Sequence, residues 1–316
     1  MNVSEQVRIG RTDVRVTRLG LGLAPIGGLY APVSKDQARA TVERAWELGI
    51  RYFDVAPLYG NGLAERRAGA VLTDRPRDEF TLSTKVGRLL RPGGSDRQEI
   101  WAESADVQPI FDFSAAGVLT SYAESLDRLS LKRADILHVH DPDHHYAQAV
   151  AEALPALVGL REQGRIGAVS VGMNQTPMLA DFVRTGLLDS VLVAGRYTLL
   201  DQSAAADLLP LCPSAGVSVI AAGVFNSGVL ADPRPGATYD YGPADPSLIE
   251  RAQAIRAVCE RHEVPLRAAA IQFPLTHPAV TSVLVGARSP EEVEDAVAMA
   301  SVEIPDRLWA DLGVRA

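Results

Sequence analysis

The sequence predicts an α/β protein, a single (β/α)8 TIM barrel, from three observations. Short apolar or β-branched runs alternate with longer stretches of helical period, the pattern of βα units around a parallel sheet. There are eight such runs, which is the strand number of this barrel. The 316 residues contain no low-complexity linker, and barrels of about 250 residues or more form one domain. We therefore expect one domain over residues 1–316.

The expected elements follow in chain order. A hairpin-like stretch at 7–16 precedes the barrel. Strands are expected at 19–22, 52–55, 80–85, 136–140, 168–171, 190–194, 218–222 and 282–286. Helices are expected at 35–48, 115–129, 148–163 and 177–185. Ser34 and Gln37 have the spacing of a capping box at the start of the first helix.

Two connections are too long for ordinary turns between a strand and a helix. They span residues 87–113, after the third predicted strand, and 224–247, after the seventh. Long connections in compact domains are often functional lids. We expect both to overhang the carboxyl face of the barrel, where barrel enzymes carry their active sites.

Composition excludes several classes of protein. With 31 Lys and Arg against 39 Asp and Glu, the net charge is −8 and no basic stripe suits nucleic acid. No apolar run approaches the roughly 18 residues that cross a bilayer, and MNVSEQVRIG lacks the apolar region of a secretion signal. Cys212 and Cys259 show neither disulfide-framework nor zinc-finger spacing. A cytoplasmic location is expected.

Four reactive side chains lie at or just beyond the carboxyl ends of predicted strands. Asp54 ends the second strand in FDVAPLYG, and Tyr59 lies in the loop that follows. Lys85 ends the third strand in LSTK, and His140 ends the fourth in LHVH. Because successive strands of a barrel are neighbours, we expect the four side chains to converge.

These four residue types together describe a proton-transfer site for a carbonyl or hydroxyl group. Tyrosine has a reference pKa of about 10, and a nearby ammonium lowers it by stabilising the phenolate. We expect Tyr59 to act as acid and base, with its pKa lowered by Lys85. Asp54 would anchor Lys85, and His140 would orient the reacting oxygen. The set contains no good covalent nucleophile, and it suits redox chemistry with a bound hydride carrier.

Four separated segments resemble the signature segments of the aldo-keto reductase superfamily. They occur in the family's order, as FDVAPLYG, LSTKVG, ILHVHDP and SVLVGARSPEEVEDA, and the likeness covers about residues 8–300. The resemblance implies a barrel oxidoreductase that binds NAD(H) or NADP(H) in extended form without a Rossmann domain. It also implies that the catalytic residues are Asp54, Tyr59, Lys85 and His140.

Within that superfamily, APIGGLY, FDFSAAGVLTSYAESLDRL and VGMNQ resemble bacterial L-fucose and D-threo-aldose 1-dehydrogenases, with pyridoxal 4-dehydrogenase a close relative. This resemblance implies oxidation of the anomeric carbon of an aldose such as L-fucose to a lactone. Three alternatives remain open: NADPH-dependent reduction of aldehydes or ketones, oxidation of pyridoxal to a lactone, and a cofactor-sensing regulatory subunit without turnover. The expected partner is a small-molecule substrate, and the sequence specifies no oligomeric state.

The nicotinamide end of the expected cofactor site departs from the family pattern. Many members have Ser-Asn at the end of the fifth strand, whereas this chain has Gly172-Met173-Asn174, so Asn174 is expected to bind the carboxamide from a shifted position. The aromatic residue that stacks on nicotinamide after the seventh strand is replaced by Ala222-Gly223. Arg196 and Phe225 are the candidate substitutes.

The phosphate end is expected in two segments. One follows the seventh strand and includes Phe225, Ser227 and Gly228; the other follows the eighth and comprises Gly286, Ala287, Arg288 and Ser289. Helix amino termini attract phosphate, and barrels often bind it at these two loops. Glu292 and its acidic neighbours disfavour a 2′-phosphate and can accept hydrogen bonds from ribose, so we expect NAD to be preferred, with NADP possible.

The remaining candidate residues concern a possible metal site and the contacts to the substrate. His138 and His140 have the His-x-His spacing of metal-dependent hydrolase barrels, but His262 and His277 lie away from strand ends, so no metal is expected. Tyr30 and Trp101 lie in or near connections at the barrel mouth and are expected, with His140, to contact the substrate.

Overall fold

The computed structural model describes residues 1–93, 100–103 and 106–314. Its strands, in chain order, are β1 (Gln6–Arg8), β2 (Arg15–Thr17), β3 (Leu19–Gly22), β4 (Tyr52–Asp54), β5 (Thr81–Val86), β6 (Arg88–Pro92), β7 (Val107–Phe111), β8 (Ile136–His140), β9 (Ala168–Met173), β10 (Ser190–Ala194), β11 (Ser218–Ala222), β12 (Thr238–Tyr239), β13 (Gly242–Pro243) and β14 (Val280–Gly286).

The helices lie between these strands and after the last of them. They are α1 (Lys35–Glu47), α2 (Leu63–Leu72), α3 (Ala115–Leu129), α4 (Tyr146–Gln148), α5 (Leu154–Glu162), α6 (Thr176–Arg184), α7 (Leu208–Ala215), α8 (Pro246–Arg261), α9 (Leu266–Gln272), α10 (Pro290–Ser301) and α11 (Asp306–Asp311). A wide helical turn at Ala149–Ala153 joins α4 to α5, so the helix expected at 148–163 is an interrupted one. In the described part of the chain, no helix has both the length and the apolar character needed to span a membrane.

Eight parallel strands close into a barrel, which confirms the predicted (β/α)8 fold. Around the barrel the strands follow the order β3, β4, β5, β8, β9, β10, β11, β14 and back to β3. Two strands are longer than expected because their neighbours pair further along. β9 extends to Met173, which pairs with Val193, and β14 begins at Val280, which pairs with Val219.

The amino-terminal hairpin packs across one end of the barrel. Its strands pair antiparallel, from Gln6 opposite Thr17 to Arg8 opposite Arg15. Ile9 and Val16 are buried in a small apolar core with Tyr52 and residues from the other barrel strands. A larger core fills the space between the strands and the surrounding helices. The hairpin thus closes the amino end and leaves the carboxyl end open.

Both long connections fold into antiparallel strands. Residues 87–113 contain the hairpin of β6 and β7, and residues 94–99 and 104–105 of this segment lie outside the described residues. Residues 224–247 contain the short ribbon of β12 and β13. Side chains from both segments reach the cavity at the carboxyl end of the barrel.

Only half of the predicted capping box is present at the start of α1. The Ser34 hydroxyl accepts a hydrogen bond from the Gln37 amide at 3.1 Å, as expected. The Gln37 side chain does not return to Ser34, because its Nε2 donates to the Arg288 carbonyl at 3.0 Å. Gln37 therefore ties the first helix to the turn that follows β14.

Candidate active site

The carboxyl ends of three neighbouring strands bring the predicted catalytic residues together. Asp54 is the last residue of β4 and pairs with Ser83 of β5, while Lys85 of β5 pairs with His138 of β8. His140 is the last residue of β8. Tyr59 lies in the turn between β4 and α2, where its side chain is partly buried. All four side chains line one cavity.

Asp54 and Lys85 form a buried ion pair at the floor of this cavity. The Lys85 Nζ lies 2.5 Å from Asp54 Oδ2, and the two side chains are 2% and 4% exposed. Lys85 also donates to the Val55 carbonyl at 3.1 Å, and the Ser83 hydroxyl donates to Asp54 Oδ1 at 2.6 Å. Buried charges need such partners, and the bonds hold both groups in one position.

Tyr59 lies between this pair and two aromatic side chains. The Lys85 Nζ is 4.8 Å from the centre of the Tyr59 ring. The His140 ring centre is 6.1 Å away, nearly perpendicular at 88°, and the Trp101 ring centre is 5.9 Å away. The tyrosine is thus held by packing beside the ion pair.

The pKa of Tyr59 differs from the sequence expectation. Burial raises the pKa of this phenol well above 10, and the charges of Asp54 and Asp141 raise it further. The expected net lowering of this pKa does not occur, because desolvation of the phenol is the largest effect and the Lys85 ammonium is already paired with Asp54 at 2.5 Å. Arg88 is the cation whose charge lowers the pKa of Tyr59. Tyr59 is therefore protonated at neutral pH.

His140 is held in its neutral form. Burial, followed by the charges of Arg88 and Lys85, lowers the pKa of this imidazole well below 6.5. Its Nε2 lies 3.4 Å from Asp141 Oδ2. A neutral imidazole donates through one nitrogen and accepts through the other, which suits orientation of a substrate oxygen.

His138 lies deeper, fully buried inside the barrel. Its Nε2 is 3.6 Å from Asp54 Oδ1, and burial and Lys85 lower its pKa well below 6.5. Within residues 1–93, 100–103 and 106–314, no three His, Cys, Asp or Glu side chains form a group that could hold a metal ion. His138 and His140 instead contact carboxylates.

The cavity has a volume of about 600 Å³, and its wall combines charged side chains with aromatic and aliphatic ones. Trp101 lines it, as expected for a substrate contact. Tyr30 does not: its ring packs 6.3 Å from that of Tyr241, and its hydroxyl shares a hydrogen bond with Ser227. Tyr30 therefore lies outside the cavity, because the loop after β3 turns its side chain toward the connection after β11.

Sequence reasoning missed several side chains of the cavity wall. Two lie directly beside predicted motifs, since Arg88 follows LSTKVG and Asp141 follows His140. Their positions next to these motifs could have identified Arg88 and Asp141 as candidate site residues. Asn226 lies between the predicted Phe225 and Ser227, whereas further missed wall residues, among them Asp143, Asp240 and Tyr241, have no comparable signal.

The expected cofactor residues divide into two groups. Asn174, Ser227 and Gly286 line the cavity. The rest lie outside its wall and are Arg196, Phe225, Gly228, Ala287, Arg288, Ser289 and Glu292. Because Gly286 is on the rim, the segment from Ala287 to Glu292 extends outward from the cavity mouth along the start of α10.

Neither expected substitute for the missing aromatic residue projects into the cavity. The Arg196 guanidinium is held by Asp240, with Nη1–Oδ1 and Nη2–Oδ2 distances of 3.0 and 2.6 Å. Phe225 is partly buried against the main core. The cavity ring from this connection is Tyr241, which sequence reasoning missed.

Two asparagine side chains that line the cavity, Asn174 and Asn226, fit the carboxamide group of a nicotinamide ring. Asn226 is 3% exposed and lines the cavity, and its Nδ2 donates to the Gly195 carbonyl at 2.9 Å. Its buried Oδ1 has no hydrogen-bond partner among the described residues. The NH2 group of a bound carboxamide could donate a hydrogen bond to this oxygen. Asn174 lines the same wall and would hold the remaining amide group.

The turn beyond Gly286 is already occupied by its own charges. The Arg288 Nε lies 3.1 Å from Glu292 Oε1, and the Arg288 amide donates to Glu292 Oε2 at 2.9 Å. Ser289 caps α10 by accepting from the Glu292 amide at 3.3 Å, and a hydrogen bond from Ser289 lowers the pKa of Glu291. The first turn of α10 therefore carries two carboxylates, Glu291 and Glu292, and the Arg288 guanidinium is already paired with the second of them.

Comparison with known proteins gives related enzymes along nearly the whole chain. The profile of the Aldo/keto reductase family matches residues 18–313. A D-threo-aldose 1-dehydrogenase of Pseudomonas sp is 44% identical over 94% of this chain and 93% of its own. A pyridoxal 4-dehydrogenase of Microbacterium luteolum is 40% identical over 99% of this chain and 97% of its own. An L-galactose dehydrogenase of Arabidopsis thaliana is 35% identical over 92% of this chain and 86% of its own.

Solved structures share the barrel. The holo form of an aldo-keto reductase from Bacillus halodurans has a TM-score of 0.79 at 24% identity, covering 98% of this chain and 95% of that one. A glycerol dehydrogenase from Gluconobacter oxydans has a TM-score of 0.77 at 21% identity, covering 98% and 94%. At these identities the likeness supports the fold.

Proposed function

The chain belongs to the aldo/keto reductase family, and from that premise we propose that this oxidoreductase oxidises the anomeric carbon of a cyclic aldose to a lactone. Enzymes of this family use a nicotinamide cofactor. The relative that is 44% identical carries the name of an aldose 1-dehydrogenase, which supports the proposed substrate class.

One observation carries the proposal: Tyr59 and His140 line one cavity together with the buried pair of Asp54 and Lys85. When bound, the nicotinamide cofactor supplies the hydride acceptor. Neutral His140 would orient the anomeric oxygen, and Tyr59 as phenolate would accept the proton of the anomeric hydroxyl. Lys85 and Asp54 keep this part of the wall fixed.

The cavity wall favours a sugar over the alternative substrate, pyridoxal. Asp141, Asp143, Asp240 and Arg88 all line it, and together they can pair with the many hydroxyl groups of an aldose. A flat aromatic substrate offers fewer hydroxyl groups to these side chains, and it leaves the free Nη1 of Arg88 without an acceptor. The relative that is 40% identical and named pyridoxal 4-dehydrogenase keeps pyridoxal as the second candidate.

A substrate panel separates these functions. Free aldoses, including L-fucose, and pyridoxal are each incubated with NAD⁺ and NADP⁺, and reduced nucleotide is followed by absorbance. We expect several aldoses to be oxidised with higher kcat/KM than pyridoxal, and the product to be a lactone by mass spectrometry. Higher kcat/KM for pyridoxal would favour the second candidate. Reduction of aldehydes by NADPH with no aldose oxidation, or nucleotide binding without any turnover, would contradict the proposal.

We also propose that NAD⁺ is the preferred cofactor, with NADP⁺ weakly accepted. A 2′-phosphate placed at the start of α10 would meet Glu291 and Glu292, and Arg288 is already paired with Glu292 at 3.1 Å. Ribose hydroxyls can instead donate to these carboxylates. A native kcat/KM higher with NADP⁺ than with NAD⁺ would contradict this proposal.

Freeing Arg288 is expected to improve the use of NADP⁺. Glu292→Gln removes the paired carboxylate and should raise kcat/KM with NADP⁺ by about fivefold, the scale of one partly exposed ion pair. Arg288→Ala should reduce NADP⁺ use more than NAD⁺ use. Glu291→Gln is the matched control, since it removes the same charge in the same turn without touching Arg288. An equal gain in both glutamine variants would point to general charge rather than to release of Arg288.

A further inference from the structure

Arg88 is a buried cation at the cavity wall with unused hydrogen-bonding capacity. It begins β6 directly after the third barrel strand, is 7% exposed and lines the cavity. Its Nη2 is bonded, but its buried Nη1 has no hydrogen-bond partner among the residues that the structure describes. A buried guanidinium donor without a partner is costly, which indicates that a bound molecule completes it.

The surroundings fix the Arg88 side chain in this position. Gly87 has a φ of +103°, and any Cβ there would overlap the Phe113 ring, so only glycine allows this turn out of β5. The Ser121 hydroxyl donates to the Arg88 carbonyl at 3.1 Å. The guanidinium carbon lies 5.1 Å from the centre of the Phe111 ring. The free Nη1 is therefore presented by a rigid group.

Asp141 links Arg88 to the reacting end of the site. Its Oδ2 accepts from Arg88 Nη2 at 3.0 Å and lies 3.4 Å from His140 Nε2. The backbone of Asp141 has a φ of +42°, and its amide donates to the Gly172 carbonyl at 3.0 Å. This left-handed turn directs the carboxylate away from β8 and toward Arg88.

We propose that Arg88 and Asp141 bind the substrate hydroxyl next to the anomeric carbon, and so make that hydroxyl a requirement for efficient oxidation. The inference rests on the proposed function, in which His140 orients the anomeric oxygen. Neighbouring hydroxyl oxygens of a sugar ring are about a hydrogen-bond length apart. Asp141 Oδ2 lies 3.4 Å from His140 Nε2 and 3.0 Å from Arg88 Nη2, so a hydroxyl next to an anomeric oxygen held by His140 would lie near Asp141 and Arg88.

A hydroxyl group fits this pair better than an anion does. The hydroxyl oxygen accepts from Arg88 Nη1, and its proton can be donated to Asp141. A carboxylate or phenolate would also attract Arg88, but it would face the negative charges of Asp141, Asp143 and Asp240 on the same wall. The chemistry therefore selects a neutral, hydroxylated substrate.

The test begins with the native protein and two substrates. An aldose that the protein oxidises is compared with its 2-deoxy form, and kcat/KM is measured for both with NAD⁺. Loss of the hydroxyl leaves the guanidinium unpaired, so we expect the 2-deoxy sugar to be at least about tenfold worse. Equal kcat/KM for the two sugars would overturn the inference while leaving the proposed function intact. Failure to oxidise any aldose would overturn the proposed function, and the inference with it.

Variants then assign the preference to Arg88. Arg88→Met keeps the length of the side chain without its donors, and should bring the ratio of the two kcat/KM values close to one, mainly through loss on the parent sugar. Arg88→Lys keeps the charge without the planar fork and should restore part of the ratio. Arg91→Met is the matched control, because Arg91 lies in the same strand, pairs with Glu124 and does not line the cavity.

Each variant is checked by its melting temperature before the kinetics are interpreted. If Arg88→Met does not fold, Asp141→Asn, which keeps the shape of the carboxylate, replaces it and should also lower the ratio. A ratio in a folded Arg88→Met variant as large as the native one would overturn the inference. The comparison of the two sugars with native protein decides it independently of every variant.

Discussion

Replacing Tyr59 by Phe is expected to lower turnover of the aldose at least about a hundredfold. General acid–base catalysis contributes about 10² to 10⁴ to a rate, and this substitution removes the hydroxyl that is proposed to accept the proton. The ring remains to pack against Trp101 and His140, whose centres lie 5.9 and 6.1 Å away. Nucleotide affinity, measured by fluorescence titration, should therefore stay near the native value.

Tyr146→Phe is the matched control for this experiment. It removes the same hydroxyl from a ring that packs on Phe182, at a centre distance of 4.7 Å, and does not line the cavity. Native turnover is expected for the control. Native turnover in Tyr59→Phe as well would show that another group moves the proton, and the assignment of Tyr59 would have to be abandoned.

Replacing Lys85 by Met is expected to harm both stability and turnover. The substitution leaves the Asp54 carboxylate, 4% exposed, without its cation. Breaking a buried ion pair by removing one partner costs about 3–5 kcal/mol in the free energy of unfolding. Turnover should fall because Asp54 and the adjoining wall are no longer held beside Tyr59. Urea unfolding and steady-state kinetics measure the two effects separately.

The double variant Lys85→Met with Asp54→Asn separates stability from catalysis. Removing both charges leaves no unpaired ion, so most of the lost stability should return. Turnover should not return, because the positioned pair is still missing. A double variant with native turnover would contradict the role given to the pair, and a stable Lys85→Met single variant would contradict its energetic description.

The pH dependence of oxidation shows whether the charges of Asp54 and Lys85 raise or lower the pKa of Tyr59. Oxidation needs the Tyr59 phenolate, and burial raises the pKa of Tyr59 well above 10, so the rate should increase with pH through the alkaline range. The Asp54 charge raises the same pKa. Lys85→Met leaves that charge uncompensated and should move the rate increase to higher pH, whereas the double variant should move it back.

The barrel was predictable because its strands and helices are local in sequence. Apolar runs such as 136–140 and 190–194 coincide with β8 and β10 at both ends. Asp54, Lys85 and His140 were found for the same reason: each lies at a strand end, and neighbouring strands place these ends together. Tyr59 was found from its place in the loop just beyond the second strand and from its residue type, and the motif resemblance assigns it the same role.

The rest of the cavity depends on loop conformations that the sequence pattern does not encode. Tyr30 and Arg196 were expected in the site, but Tyr30 packs on Tyr241, and Arg196 is bonded to Asp240. Arg88 reaches the cavity only because Gly87 turns the chain with a positive φ. Its place and its unpaired donor are consequences of tertiary structure.

The pKa of Tyr59 was mispredicted for a related reason. A lysine near a tyrosine in the motif suggests a lowered pKa, but the direction depends on burial and on how the ammonium charge is already used. Here Asp54 takes the Lys85 charge at 2.5 Å, and desolvation of the phenol dominates. Neither distance nor burial can be obtained from the spacing of these residues in the chain.

Transfer of deuterium from the substrate to the nucleotide tests most directly whether the protein oxidises the anomeric carbon of an aldose. An aldose carrying deuterium at its anomeric carbon is oxidised with NAD⁺, and both products are analysed by mass spectrometry. Direct hydride transfer from that carbon predicts a reduced nucleotide heavier by one deuterium and a lactone without the label. Oxidation that leaves the label on the sugar product, with unlabelled reduced nucleotide, would contradict the claim that the anomeric carbon is the site of oxidation.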